Sequence, residues 1–170
     1  FDTTPNVLCY SNTGGFGIDG SISSAVGASL ASPNKLIFCV LGDLAFFYDL
    51  NSLGNRHIKN NLRILLINNG RGTEFKLSGN PGAMFGSETD RFIAAAGHYG
   101  NKSQDLVKHF AEDLGFKYLC AKNKEEYLTY LDYFVNPLYR ERSIIYEVFT
   151  DSLDEDKALT LISEAECNNL

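Results

Sequence analysis

Short apolar runs alternate with longer amphipathic stretches along this chain. Most runs are continuously apolar, which is the pattern of strands covered on both faces in a parallel sheet. Five runs predict strands: Val7–Tyr10, Leu36–Leu41, Ile64–Ile67, Tyr118–Cys120 and Ile144–Phe149. Five stretches between or after them predict helices: Ser21–Leu30, Ala45–Ile58, Ser103–Leu114, Asn123–Phe134 and Asp154–Ser163. Alternation at this spacing predicts an α/β fold, a three-layer α/β/α sandwich with a mainly parallel sheet.

Three helix boundaries are marked chemically. Asn123 with Glu126 three residues later forms a capping-box-like pair and predicts the start of the fourth helix. Gly115 follows the apolar positions of the third helix and predicts its end. Acidic residues crowd the start of the last helix, where carboxylates favour the helix dipole: Asp151, Asp154, Glu155 and Asp156. We interpret this acidic run as a solvated helix start rather than a metal site.

The composition describes one domain. The 170 residues, 44% of them hydrophobic, suffice for a single well-buried domain spanning residues 1–170. The net charge of −6 argues against nucleic-acid and anionic-membrane partners, and no apolar run approaches the roughly 20 residues of a membrane span. We therefore expect a soluble, cytoplasmic protein. The chain opens on Phe1-Asp2-Thr3 without an initiator methionine, which suggests a fragment of a longer subunit.

The four cysteines lie far apart and form no CxxC motif and no Cys/His cluster in the sequence. All but the last of them sit inside predicted apolar strands. We interpret them as reduced core residues of a cytoplasmic protein, rather than as disulfide or zinc ligands: Cys9, Cys39, Cys120 and Cys167.

Polar residues accompanied by glycine follow the second and third predicted strands. Gly42-Asp43 comes after the second strand and Asn68-Asn69 after the third. Ligands of open α/β sheets bind at the carboxyl ends of the strands, and magnesium takes carboxylate and amide oxygens together with substrate phosphates. The helix beginning near Ala45 would aim free N–H groups at the same place. Taken singly, Asp43 could simply cap that helix, and the asparagines could belong to an ordinary turn.

Together, Gly42-Asp43 and Asn68-Asn69, with 24 residues between them, resemble the signature of the thiamine-diphosphate-dependent enzyme family. The resemblance covers essentially the whole chain and implies the family's diphosphate-binding, carboxyl-terminal domain. Leu44 replaces the last glycine of that signature, as it does in one branch of the family, the 2-succinyl-5-enolpyruvyl-6-hydroxy-3-cyclohexene-1-carboxylate synthases of menaquinone biosynthesis. Three further runs resemble this branch: Tyr10-Ser11-Asn12, Gly17-Ile18-Asp19-Gly20 and Tyr48-Asp49-Leu50-Asn51.

The resemblance implies roles for particular residues. The side chains of Asp43 and Asn69 and the backbone carbonyl of Arg71 would bind Mg²⁺, and two diphosphate oxygens and a water would complete its octahedron. Ile18 would hold the cofactor in its bent shape; alternatively it is a loop residue packed on the core. Four more residues are implied to bind thiamine diphosphate: Gly42, Leu44, Ala45 and Gly72.

The substrate pocket implied by the resemblance contains Thr13, Glu74 and Phe75. Phe75 would line the pocket beyond the thiazolium, or it would anchor a mobile loop. Thr13 stands where the synthase branch has a basic residue, and Glu74 where it has an apolar one. Both departures disfavour a substrate with several carboxylates, unless the side chain of Arg71 compensates. They leave the exact menaquinone reaction open.

The three histidines are interpreted as structural. His57 ends a predicted helix, where a cation suits the dipole, and His109 lies beside the apolar stripe of the third helix. His98 lies on a loop of the expected active side, so a contact with substrate is its alternative role.

The activity implied by the family is decarboxylation of a 2-oxo acid and addition of the product to an acceptor, with the hard chemistry carried by the cofactor. The activating glutamate belongs to the family's pyrimidine-binding domain, and no residue of this chain matches it. We therefore expect no catalytic residue here, an inactive isolated domain, and a pyrimidine domain of the same or a partner subunit in a homodimer or homotetramer. Alternatives are another acetolactate-synthase-like or 2-oxo-acid decarboxylating enzyme, a free-standing small subunit, or a non-catalytic module that kept the fold.

Overall fold

The computed structural model describes residues 7–77, 79–98, 102–139 and 141–167, and it describes only the backbone of residues 15, 16, 163, 166 and 167. Within these ranges, four parallel strands form one sheet. The strands are β1 (Ile37–Gly42), β2 (Leu62–Asn68), β3 (Lys117–Ala121) and β4 (Ile144–Phe149). Their spatial order is β1-β2-β4-β3. With helices on both faces, this arrangement confirms the predicted α/β class.

Among the described residues, these α-helices accompany the sheet: α1 (Ser21–Ala31), α2 (Asp43–Asp49), α3 (Glu88–Arg91), α4 (Leu106–Asp113), α5 (Lys124–Val135) and α6 (Ser152–Cys167). The loops of the same part of the chain contain 3-10 turns at Gly14–Gly17, Leu50–Gly54, Thr73–Lys76 and Pro81–Phe85. No helix within the described ranges is long and apolar enough to cross a bilayer.

The larger core lies between one face of the sheet and helices α1, α2 and α4. Cys39 and Leu41 of β1 point to this face, as do Ile64 and Leu66 of β2 and Ile145 of β4. The opposite face carries a smaller core under α5, which includes Leu119, Phe134 and Tyr146 among its buried residues. Parallel strands with helices on both sides need apolar residues at successive positions, which explains the continuous apolar runs.

Most apolar runs were predicted to form strands covered on both faces, and β1 does not follow this pattern. On the side of the sheet opposite to Cys39, Val40 is 68% exposed and Phe38 46% exposed. The reason is topological: β1 is an edge strand, and α5 packs over the far strands, reaching Phe38 only with the edge of the Phe134 ring at 5.7 Å.

The predicted strand at Val7–Tyr10 is also wrong, because these residues lie outside the sheet in irregular backbone. Cys9 and Tyr10 are exposed, the latter at 91%. An apolar run becomes a strand only if a neighbouring strand accepts its hydrogen bonds, and β1 pairs with β2 alone.

Of the predicted core cysteines, Cys39 is buried and Cys120 half-buried, whereas Cys9 is not in the core and the side chain of Cys167 lies outside the described part.

Helix boundaries moved by a few residues. The predicted helix at Ala45–Ile58 begins two residues earlier, at Asp43, and its second half is the 3-10 turn Leu50–Gly54. The Asn123 side chain accepts the Glu126 N–H at 2.9 Å, which confirms the predicted cap. The Glu126 carboxylate, however, accepts the N–H of Lys122 rather than that of the cap residue, so the box is not reciprocal. Gly115, with φ of 82°, ends α4 as predicted.

Asp49 fastens the 3-10 turn after α2 to the start of α1. Its buried carboxylate accepts the Ser23 N–H and the Ser52 hydroxyl, both at 2.7 Å. Burial raises the pKa of Asp49, but these hydrogen bonds outweigh burial and hold the pKa below its ordinary value. The ionised carboxylate therefore stabilises the fold above the pKa of an unfolded aspartate, and this contribution is lost as the pH falls through the depressed value.

Arg63 is a fully buried cation in β2, with no exposed surface. Its guanidinium donates to backbone carbonyls of the segments that flank the amino ends of the strands: Asn60, Leu62, Tyr139 and Arg142. The planar fork of arginine can serve several acceptors at once. Arg63 therefore holds the chain entering β4 against β2.

Candidate cofactor-binding site

The register of the sheet brings the two predicted motifs to one edge. Gly42, the last residue of β1, pairs with Ile67 of β2, so that Asp43, which follows β1, and Asn68, which ends β2, lie at adjacent parallel strand ends. Asp43 is the first residue of α2 and is 1% exposed, and Asn68 is 7% exposed. The motifs therefore meet at the carboxyl edge of the sheet, where open α/β folds bind their ligands.

Asp43 is engaged by a histidine. The Nε2 atom of His98 lies 2.6 Å from Oδ2 of Asp43, and the ring of Phe47 lies 5.6 Å from the imidazole. Burial raises the pKa of the Asp43 carboxyl, while the hydrogen bond and charge of His98 and the N–H groups of Asp43 and Leu44 oppose that rise. Asp43 is thus a buried carboxyl whose negative charge is stabilised by hydrogen-bond donors. A cation bound at Asp43 would stabilise the same charge.

The two asparagines point to different partners. Asn69 Oδ1 accepts the Arg71 N–H at 3.1 Å, while its Nδ2 donates to Glu155 of α6 at 2.8 Å. The Asn68 Nδ2 donates instead to the buried carboxylate of Glu147 at 2.7 Å. Each amide nitrogen is thereby fixed by a carboxylate, which leaves the amide oxygen of Asn69 on the side of the Arg71 backbone. Glu155, predicted as part of a solvated helix start, is half-buried and positions the site.

The loop after β2 packs closely on the start of α2. A Cβ atom at Gly72 would lie 3.1 Å from Cδ1 of Leu44 and 3.3 Å from the Phe75 ring, so glycine fits here because a side chain would be crowded. The N–H of Gly72 donates to the carbonyl of Ala94 at 2.7 Å. This bond holds the segment that carries His98 beside Asp43.

Arg71 is not a free cation that could compensate for the departures at Thr13 and Glu74, because its side chain is paired with a carboxylate. Its Nη1 lies 2.9 Å from Asp90, which also receives Lys76 Nζ at 2.8 Å. Arg71 Nε and the hydroxyl of Thr73 are buried without a hydrogen-bond partner in the part of the chain that the structure describes. The segment from Arg71 to Lys76 thus pairs two cations with Asp90 and contains two buried polar atoms without a partner.

The remaining predicted positions differ in burial and in the element that carries them. The Glu74 side chain is exposed and Phe75 half-buried in the 3-10 turn after Gly72, and Thr13 is exposed. Ile18 is half-buried in a loop organised by Asn12, whose amide donates to the carbonyl of Asp19 and to the Ser21 hydroxyl. Ala45 is buried in α2 as part of the larger core.

Glu147 was not predicted as a site residue, and it lies beneath Asn68 with 1% exposure. It accepts the Tyr118 hydroxyl at 2.6 Å in addition to the Asn68 amide. Burial raises the pKa of Glu147, these two hydrogen bonds lower it, and the charges of Asp43 and Asp105 raise it further, so that the pKa lies above its ordinary value of 4.5.

We expect Glu147→Gln to change the pH dependence of stability. A carboxyl with a raised folded-state pKa binds protons more tightly when folded, so wild-type stability falls as the pH rises from about 4.5 through the raised value. Glutamine keeps an acceptor for Asn68 and carries no charge. Urea unfolding across this range should show that the stability of the variant relative to wild type increases as the pH rises. We expect this relative increase to be about 1–3 kcal/mol. The exposed Glu125→Gln is the control, and parallel curves for wild type and Glu147→Gln would contradict the expectation.

The donor chemistry at this edge fits a magnesium ion. The predicted ligands Asp43, Asn69 and the Arg71 carbonyl are hard oxygens, and magnesium uses one or two carboxylates together with phosphate oxygens and water. Within the described ranges, no group of three or more His, Cys, Asp or Glu side chains is placed to hold a metal. A site with one carboxylate, one amide and one carbonyl is therefore incomplete without a ligand that brings its own oxygens, such as a diphosphate.

The fold and this edge define an α/β domain with a buried carboxylate and an amide pair at the carboxyl ends of adjacent parallel strands. Comparison with curated proteins gives relatives named 2-succinyl-5-enolpyruvyl-6-hydroxy-3-cyclohexene-1-carboxylate synthase. The relative from Phocaeicola vulgatus is 39% identical over 164 residues, which are 96% of this chain and 27% of the relative. Those from Bacteroides fragilis and Flavobacterium johnsoniae are 38% and 34% identical over 92% and 91% of this chain, and 26% of each relative is covered.

The chain therefore spans about a quarter of the length of the curated relatives it matches. A scan against protein-family profiles gives no match. The names of the relatives agree with the branch that the motifs around Asp43 resemble.

Proposed function

We propose that this chain is the diphosphate- and magnesium-binding domain of a thiamine-diphosphate-dependent synthase that decarboxylates a 2-oxo acid and joins the product to an acceptor. One observation carries the proposal: the in-register pairing of Gly42 with Ile67, which puts Asp43 and the asparagine pair at one sheet edge. The sequence motifs and the names of the relatives support the same function.

In this proposal the chain's own residues bind and orient the cofactor. Asp43, Asn69 and the Arg71 carbonyl hold Mg²⁺, and Glu155 fixes the amide of Asn69 through its nitrogen. Gly42, Leu44, Ala45 and Gly72 border the diphosphate, and Ile18 supports the bend of the cofactor. When bound, thiamine diphosphate supplies carbanion chemistry.

The remaining parts of the proposal concern what lies beyond this site. The activating glutamate is assigned to a pyrimidine domain of the same or a partner subunit, in a homodimer or homotetramer, and this domain alone is inactive. A cytoplasmic location follows from the same assignment to a biosynthetic enzyme.

The substrate is proposed to be the 2-oxo acid and the acceptor of the menaquinone-pathway synthase, because the relatives carry that name. Thr13 and Glu74 were departures against this substrate. The Glu74 side chain is exposed in the structure, so its carboxylate has access to water and weighs less against an anionic substrate than a buried one would. The second candidate is another 2-oxo-acid enzyme of the same family. Thr13, which lacks a positive charge, and the pairing of Arg71 with Asp90 favour this candidate, because neither residue then offers a free cation to a substrate with several carboxylates.

Calorimetric titration with thiamine diphosphate tests the proposal. The titration uses the full-length subunit, because the proposal assigns the other half of the cofactor site to a pyrimidine domain outside this chain. We expect binding that requires Mg²⁺, because the metal bridges the acidic site and the anionic diphosphate, and titration without Mg²⁺ but with EDTA should give no heat of binding. Thiamine monophosphate is the matched control, since it offers fewer oxygens to the metal. Equal binding with and without Mg²⁺, or the absence of binding, would count against the proposed function.

A further inference from the structure

The contact between His98 and Asp43 lies inside the proposed site. The side chains of His98 and Asp43 are 10% and 1% exposed, respectively, with Nε2 and Oδ2 2.6 Å apart. The same carboxylate also accepts the N–H groups of Asp43 and Leu44. Donors therefore already surround the carboxylate that the proposed function assigns to the metal.

The His98 segment is held in this position by backbone contacts. The carbonyl of Ala94 accepts the Gly72 N–H at 2.7 Å, and the N–H of Ala96 donates to the carbonyl of Asp90 at 2.8 Å. Ala95 has a φ of 50°, a left-handed conformation that costs a residue with a Cβ atom about 1–2 kcal/mol. The segment that carries His98 is thus fixed by two backbone hydrogen bonds and contains one residue in a costly conformation.

We infer that His98 competes with Mg²⁺ for Asp43, because its Nε2 engages the carboxylate that the ion would need. The inference rests on the proposed function, because it takes Asp43 as the metal ligand. Magnesium binds oxygens at 2.0–2.1 Å and requires a nearly ideal octahedron. The imidazole Nε2 lies 2.6 Å from Oδ2 of Asp43, so an ion that coordinates Oδ2 from the histidine side displaces the ring. An ion that coordinates Oδ1 instead meets a carboxylate whose charge is already shared with the imidazole.

The contact between His98 and Asp43 should weaken the apparent affinity of the chain for Mg²⁺. The apparent dissociation constant equals the intrinsic constant divided by the fraction of molecules that are competent to bind. A hydrogen bond to a charged group contributes enough to keep that fraction small. Removing the imidazole should therefore tighten Mg²⁺ binding, and we expect His98→Ala to lower the apparent dissociation constant for Mg²⁺ by roughly tenfold.

The alternative is that His98 becomes a metal ligand in place of the water. Nitrogen ligands suit zinc, nickel or copper better than magnesium, and the His98 nitrogen is occupied by its bond to Asp43. The two possibilities predict opposite signs for His98→Ala: tighter Mg²⁺ binding if the histidine competes with the ion, and weaker binding if it ligates the ion.

The test measures Mg²⁺ affinity by calorimetry at one fixed pH and saturating thiamine diphosphate. The proteins are wild type, His98→Ala, His98→Gln and the exposed control His109→Ala. We expect His98→Ala to bind Mg²⁺ most tightly. His98→Gln, which retains an N–H donor, should bind Mg²⁺ less tightly than His98→Ala but more tightly than wild type, and the control should bind like wild type. Unchanged or weaker binding by His98→Ala would overturn the inference.

A second measurement reads the response of the wild type itself and uses a variant only for assignment. In the wild type, the Cε1–H resonance of His98, assigned by its loss in His98→Gln, should shift on addition of Mg²⁺ with thiamine diphosphate, while those of His57 and His109 stay in place. A His98 resonance that does not shift while calorimetry shows binding overturns the inference and leaves the proposed function standing. If wild type and all variants fail to bind, the proposed function falls and this inference falls with it.

Discussion

Asp43→Asn should abolish magnesium-dependent binding of thiamine diphosphate while leaving the domain folded. Magnesium is held by very few carboxylates, and Asp43 is the one carboxylate among the three proposed ligands. Replacing it with an amide removes the charge that attracts the ion, and we expect the affinity for Mg²⁺ with thiamine diphosphate to fall by on the order of 100-fold or more.

The stability of Asp43→Asn should move in the opposite direction. Burial raises the pKa of Asp43, which means that the fold disfavours its charge, so an uncharged isostere should melt at the same temperature as wild type or higher. Calorimetric titration and thermal unfolding of the same sample separate the two effects. Asp132→Asn, on the exposed surface of α5, is the control. Retention of wild-type affinity by Asp43→Asn would remove this residue from the site and refute the proposed function.

Arg63→Ala should be the most destabilising single substitution considered, with a loss of about 3–5 kcal/mol in the free energy of unfolding. The guanidinium serves carbonyls of Asn60, Leu62, Tyr139 and Arg142 and has no exposed surface. Its removal leaves buried carbonyls without donors and opens a cavity at the amino end of β2.

Arg63→Lys should recover part of this loss, because an ammonium can serve some of the carbonyls but lacks the planar fork. Urea unfolding measures both variants. Arg91→Ala is the matched control, since Arg91 makes an exposed pair with Glu88, and such pairs contribute about 0–1 kcal/mol. A loss for Arg63→Ala no larger than that of Arg91→Ala would show that the buried hydrogen bonds do not hold the β4 approach in place.

The predicted elements differ in how well local chemistry specified them. The strand Ile144–Phe149 was placed at its exact bounds, and the cap at Asn123 was found because one side chain and one N–H define it. The strand at Val7–Tyr10 failed, because apolar residues form a strand only beside a partner that accepts their hydrogen bonds. No local signal distinguished this run from the others.

The candidate site divides in the same way. The motif at Asp43 and Asn69 could be read from residue types and spacing, since both are oxygen donors that follow strands. His98 is 55 residues from Asp43 in the chain, and Glu155 is 86 residues from Asn69. Contacts over such separations depend on the packing of the His98 segment and of α6, which no pattern of residue types encodes locally.

The sequence by itself therefore determined the α/β class and most of the strands, and it singled out the oxygen donors of the proposed site, because these depend on periodicity and on chemistry within a few residues. Only the tertiary structure decided which partner each donor meets. It placed His98 against Asp43, Glu147 beneath Asn68 and the Arg71 side chain on Asp90. The physical reason is that sheet register and loop packing act between distant segments, and the charge state and accessibility of a buried carboxylate are set by those neighbours.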